Sequence, residues 1–162
     1  MGRLQAAIFA DHGFLSAAAL PPLIPVAFFA DSPAHPGFLR DLERSVHAPW
    51  RMKTSGLTWE QDALYISVSS GGMWGSLRDK AAGLAPIEPS PLFPVAEGFF
   101  AGCVETAPDQ RPLIRPLVPE LSFSSAALAI LDIRSPRGRD GWWREVMWEY
   151  EEQRPLRGRR DR

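Results

Sequence analysis

The sharpest alternation of apolar and polar positions runs over residues 63–69, where Leu64, Ile66 and Val68 take one parity and Tyr65, Ser67 and Ser69 the other. Successive side chains on a strand point to opposite faces, so this pattern predicts a β-strand with its Leu/Ile/Val side in a core. Residues 4–10 alternate in the same way, Leu4, Ala6 and Ile8 against Gln5, Ala7 and Phe9, and predict a strand that ends at Asp11-His12-Gly13. The apolar run at 24–30 predicts another, and Pro25, which cannot donate to a ladder, places it at a sheet edge or at a strand entry. Residues 98–106 form a further expected strand, in which the small side chains of Ala101, Gly102 and Cys103 allow another element to pack close. Residues 126–133 are apolar at both parities until Asp132, the pattern of a central strand covered on each side.

Helical spacing appears in three places. Phe38, Leu39, Leu42 and Val46 form one apolar side of a helix expected over 37–47, which Pro49 ends. A shorter helix is expected over 77–83, with Ser76 as N-cap and Gly83 as its stop. Trp143, Val146, Met147 and Tyr150 fall at i, i+3, i+4 and i+7, which predicts a C-terminal helix from about Trp142 to Gln153, ended by Pro155. On that wheel Trp148 projects from the polar side, among Arg144, Glu145, Glu149, Glu151 and Glu152. Eight of the sixteen prolines lie between residues 86 and 119, a density that excludes long helices there. The succession of elements predicts an α+β fold: one domain over 1–153, a mixed or largely antiparallel sheet and about three helices, followed by an arginine-rich tail over 154–162.

Composition narrows the class. A chain of 162 residues with 45% hydrophobic and 23% charged residues has the make-up of one folded unit. Cys103 is the only cysteine, which excludes an internal disulfide and a cysteine-based zinc knuckle and fits a reducing, cytoplasmic setting. The apolar stretch 14–30 holds Pro21, Pro22 and Pro25 and falls short of the roughly 20 helical residues that span a bilayer, so no membrane span is expected. Phe28 lies where a signal peptide carries a small residue, so the stretch reads as domain interior.

The net charge of −1 gives no overall attraction to polyanions, but charge is segregated. Residues 134–162 hold nine of the sixteen arginines, three of the six tryptophans and only six acids. Arginine and tryptophan supply much of the energy at protein interfaces, so this end reads as a docking element. The expected function is that of a non-enzymatic accessory or adaptor protein that docks onto a larger assembly through the C-terminal helix and tail. Its candidate contacts are Trp148, Arg137, Arg139, Arg154, Arg157, Arg159 and Arg160, with Trp74 as a loop aromatic. The alternative partner is RNA or DNA, with the same arginines on phosphates and Trp148 or Trp74 stacked on a base. Self-association through exposed tryptophans is a third possibility.

Catalytic chemistry is sparsely represented. The Ser70-Gly71-Gly72-Met73-Trp74-Gly75-Ser76 turn, with Arg78 and Lys80 nearby, has the outline of an anion cradle but matches neither phosphate-loop spacing. His12, His35 and His47 share no ligand spacing, and Asp11 points away from His12 on a strand, so neither a metal nor a cofactor is expected. A small enzyme would need a pocket near the Gly71-Gly72 turn, with Asp132 or a histidine as acid or base and Ser70 or Cys103 as nucleophile.

Overall fold

The computed structural model describes residues 15–33, 35–45, 51–103, 120–125, 127–137 and 141–156, together with Ala6 and Ala10. Among these residues the chain is α+β, with six strands in antiparallel sheets and two α-helices. Strands β1 (Arg51–Glu60), β2 (Ala63–Ser69), β3 (Gly98–Cys103) and β4 (Ser122–Ser124) form one sheet in the order β3-β2-β1-β4. Strands β5 (Ala127–Arg134) and β6 (Met147–Pro155) form a separate two-stranded sheet. The helices are α1 (Phe38–Ser45) and α2 (Met73–Leu84), and short 3-10 turns occupy Leu15–Ala18 and Trp142–Arg144.

β2 occupies the expected residues, yet both of its faces are covered. Leu64, Ile66 and Val68 join Met52, Phe99 and Ala101 in one cluster, while Ala63 and Tyr65 join Phe93, Phe100, Cys103 and Trp142 in another. Tyr65 tolerates burial because its hydroxyl donates to the Pro94 carbonyl, and burial pushes its pKa well above the ordinary tyrosine value. β3 is buried along its whole length, with Phe99 on one cluster and Phe100 on the other. The small-residue expectation holds there: a Cβ on Gly102 would sit 3.0 Å from Ser16 Oγ. Residues 104–106 of the expected strand lie outside the described residues.

β1 has no counterpart among the expected strands, and its own geometry explains why. A bulge between Thr54 and Gly56, where Gly56 takes φ of 134°, shifts the register by one residue. Met52 before the bulge and Leu57 and Trp59 after it therefore pack against the same cluster although their sequence parities differ. Gln61 and Asp62 then turn the chain directly into β2, with Gln61 at φ 54°.

The helix that follows β2 begins at Met73, four residues before the expected start, and runs through Gly83 to Leu84. Ser76 is inside it, with its hydroxyl bonded to the Gly72 carbonyl, so it is not the N-cap. Phe38, Leu39 and Leu42 of α1 and Leu77 and Ala81 of α2 meet Leu128 and Leu156 in a third cluster. The expected apolar side of α1 is thus correct as far as Leu42, and Val46 lies outside the described residues.

Three expectations are overturned. Residues 24–30 belong to no strand and join no ladder among the described residues. β5 is not a central strand; it is half of a hairpin, and only Leu128 along it is fully buried. The C-terminal helix is replaced by the Trp142–Arg144 turn and β6, which reduces the expected three helices to two. Tertiary pairing outweighs the helical periodicity: Trp148 sits opposite Ile133 and Tyr150 opposite Leu131, aromatic against aliphatic across the ladder. Trp143 and Val146 keep their contact with the core, but Met147 and Tyr150 do not, being 65% and 48% exposed. Pro155 closes the strand opposite Ala127 rather than ending a helix. Of the strand expected over 4–10, only Ala6 and Ala10 are described, and both are helical.

Candidate docking site on the C-terminal hairpin

β6 is an edge strand with unusual exposure. Seven of its nine residues are exposed, and Met147, Trp148 and Tyr150 are three of the four large exposed apolar side chains among the described residues. Trp148 and Tyr150 stack edge to face at 5.8 Å, and the Trp148 indole N–H donates to the Ala19 carbonyl at 3.1 Å. That bond fixes the ring orientation while 40% of the residue stays in solvent. On the opposite face Arg134 binds Asp132 and lies 3.6 Å from Glu149, and the Asp132 and Glu149 carboxylates hold the guanidinium above its ordinary pKa.

The candidate contact arginines of this end divide into two groups. Arg137 forms an ion pair with Glu145, and Arg154 reaches across to Glu43 on α1 at 2.9 Å. Arg139, Arg157, Arg159 and Arg160 lie outside the described residues. β6 extends to Pro155 and Leu156 is buried in the helical cluster, so the strand and its anchor continue into the first residues after Gln153.

Trp74 is half-buried on α2, far in sequence from the hairpin, and holds the segment 23–33. Its indole N–H donates to the Pro25 carbonyl at 2.9 Å, and Arg78, lying over the Trp74 ring at 5.6 Å, donates to the Val26 carbonyl at 3.0 Å. The turn before α2 is supplied with an anion by the chain itself. Glu97 accepts from the Ser70 hydroxyl and, at 2.9 Å, from the Ser70 N–H, while Ser70 Oγ accepts from the Trp74 N–H at 3.0 Å. Lys80 is exposed.

A cleft of about 340 Å³ opens between the extended segment and the hairpin, lined by every residue from 23 to 33 and from 128 to 133. Its floor is apolar, made by Leu39, Leu42, Leu77 and Ala81, and its charged lining residues are Asp31, Asp132 and Glu151, all acids. The Ser32 hydroxyl donates to Glu151 at 2.6 Å and so ties one wall to the other. This site was not readable from sequence, because its two walls are about a hundred residues apart and neither carries a motif.

The residues considered for catalysis do not converge. Ser70 is bonded to Glu97, Asp132 to Arg134, and Cys103 is buried with its backbone bonded to Ser16 Oγ. His35 bonds Asp41 at 2.9 Å, and His12 and His47 lie outside the described residues. No cluster of metal-ligating side chains occurs among the described residues, and no helix there is long and apolar enough to cross a membrane. The hydrogen bond from His35 is the largest influence that lowers the Asp41 pKa, ahead of the nearby Arg40 and Arg44 charges. A carboxyl with a depressed folded-state pKa contributes stability above its unfolded value and loses it as pH falls through the folded value. His35→Ala should therefore move the Asp41 titration, followed by carboxyl NMR, upward toward the ordinary range.

Comparison with known proteins leaves the hairpin and cleft to be interpreted on their own geometry: no family model, no curated protein and no solved structure matches this chain.

Proposed function

We propose that this chain is a non-enzymatic docking protein whose contact surface is the β5–β6 hairpin. One observation carries the reading: three of the four large exposed apolar side chains among the described residues lie within the first four residues of a single edge strand. Folding alone gives no reason to leave Trp148 and Tyr150 side by side on one face and Met147 on the other in water, and exposed apolar groups gathered in this way mark interaction sites. An edge strand with one side unbonded among the described residues also offers a partner backbone a ready ladder. Glu149 interrupts the apolar residues and Glu151 and Glu152 follow them, which opposes indiscriminate pairing and favours a partner with basic groups.

The contact surface is therefore a strand and not a helix, and the described arginines serve it indirectly. Arg154 anchors the hairpin to α1 through Glu43, and Arg137 closes the turn through Glu145. Those carboxylate partners, and the acids along β6, favour a protein partner over nucleic acid for this face.

The test is affinity capture from the native source with the full chain, Met147→Glu and Leu121→Glu. Both substituted residues are exposed, at 65% and 41%, so both variants should fold like the parent. Met147→Glu should reduce recovery of the captured partner by about ten-fold or more, as for a residue central to an interface, and Leu121→Glu should leave it unchanged. Equal recovery with both variants sinks the hairpin as the contact surface.

A further inference from the structure

We propose that the cleft between residues 23–33 and β5 receives an extended peptide segment of the partner, added as a strand to the outer edge of β5 with a basic side chain set against Asp31 and Glu151. The inference rests on the docking role of the hairpin and specifies what the cleft beside it takes.

Three observations converge on a peptide backbone. A cavity beneath one face of a strand touches alternate residues, because alternate side chains point away. This cleft instead meets all of 128–133 and all of 23–33, so backbone edges as well as side chains border it. Second, both borders carry backbone groups with nothing to bond. β5 pairs with β6 alone, and its other edge has no hydrogen-bond partner among the described residues. Along the facing segment the carbonyls of Leu23, Pro25, Val26 and Phe28 are bonded to Phe100, Trp74, Arg78 and Glu88, but none of its N–H groups has a partner among the described residues. A purely apolar ligand would bury those groups without hydrogen bonds, whereas a strand satisfies them with the spacing they already have. Third, the charged lining is acidic throughout, and Asp31 is exposed with no ion pair among the described residues, which selects lysine or arginine in the occupant. The six residues 128–133 extend for about 20 Å at strand rise, room for a segment of similar length.

The segment that forms the outer wall is held in place without being part of a sheet. Trp74 and Arg78 grip its carbonyls from α2, and the Ser32 to Glu151 bond joins it to the hairpin at one end. Among the described residues an arriving strand needs to displace only the Ser32 to Glu151 bond, and its own lysine or arginine then replaces Ser32 on the carboxylate.

A displayed library of random dodecapeptides, selected on the full-length chain, provides the probe. Enriched sequences should alternate apolar residues and carry at least one lysine or arginine. The best of them, made synthetically, should bind Asp31→Lys about ten-fold more weakly than the parent chain, as expected when a rim charge is reversed. Hydrogen exchange should show new protection at 24–33 and 127–134 on peptide addition. No enrichment, enrichment of acidic peptides, or unchanged affinity for Asp31→Lys would overturn the proposal. Protection confined to 147–155 would overturn the cleft assignment and leave the β6 docking surface standing. Displacement of the peptide by dodecylamine at equal concentration would make the cleft a site for apolar amines and overturn the strand. Ten-fold tighter binding by a chain with Arg157→Ser, Arg159→Ser and Arg160→Ser would identify the chain's own end as a competitor for the cleft, which also overturns assignment to a partner.

Discussion

Trp142→Ala is expected to lower the stability of the chain by about 3–5 kcal/mol, read as a shift in the denaturation midpoint at constant slope. Trp142 is wholly buried and lies among Phe93, Phe100 and Trp143 at ring separations of 5.4, 5.8 and 6.0 Å. It joins the β5–β6 connection to the cluster beneath β2 and β3, so its loss opens a cavity where the two sheets are tied together. Trp142→Phe makes the sharper test. The indole Nε1–H has no hydrogen-bond partner among the described residues, and an unsatisfied buried donor costs about 1–3 kcal/mol. Phenylalanine keeps most of the ring contact and removes that donor, so it should cost less than half as much as alanine. If Trp142→Phe destabilises as strongly as Trp142→Ala, the indole N–H is bonded and the packing argument is wrong.

Much of the fold was legible wherever one periodicity governed one element. β2 followed from a single unbroken alternation, and the buried side of α1 from helical spacing of Phe38, Leu39 and Leu42. β1 was hidden because the Gly56 bulge moves Met52 and Trp59, which differ in parity, onto one face. A residue-by-residue alternation cannot reveal that unless the glycine is read as a bulge. The C-terminal end failed for a different reason. Residues 143–150 satisfy helical spacing, and residues 148–151 equally alternate Trp, Glu, Tyr, Glu as a strand does. The choice was made by β5, whose Leu131 and Ile133 take Tyr150 and Trp148 as cross-strand neighbours.

The proposed docking surface shows the same division. Concentration of tryptophan and arginine near the C-terminus singled out residues 134–162, and Trp148 is exposed there. Met147 and Tyr150, assigned to the core by the helical wheel, are exposed on opposite faces of β6 once the backbone is a strand. Arg137 and Arg154 read as free cations in sequence because their partners, Glu145 and Glu43, are brought near by the turn and by α1. The cleft was beyond sequence altogether, since its acids Asp31 and Glu151 belong to segments that only the fold places side by side.

Gly102→Ala is expected to cost about 2–4 kcal/mol, the sum of backbone strain and lost hydrogen bonds. Gly102 holds φ of 133°, a conformation that side chains rarely adopt, and its Cβ would stand 3.0 Å from Ser16 Oγ and 3.3 Å from the Ala17 nitrogen. Ser16 is buried, accepts the Cys103 N–H at 2.7 Å and donates to the Cys103 carbonyl at 2.8 Å, so its hydroxyl straps the Leu15–Ala18 turn onto β3. Any movement that relieves the new methyl group must stretch that pair of bonds. Ser16→Ala alone should cost about 2 kcal/mol, one for each bond. The double variant should then be less destabilised than the sum of the two by at least about 0.5 kcal/mol, because removing the hydroxyl frees space for the methyl. Strict additivity would mean that the strap and the glycine act independently. The consequence reaches the cleft, whose outer wall leaves this strap at Leu20 and is bonded to β3 where the Phe100 N–H meets the Leu23 carbonyl at 3.2 Å. Hydrogen exchange of the Phe100 and Glu88 N–H groups, which bond this wall at the Leu23 and Phe28 carbonyls, should therefore quicken in Gly102→Ala more than exchange over α2, which is held by its own hydrogen bonds.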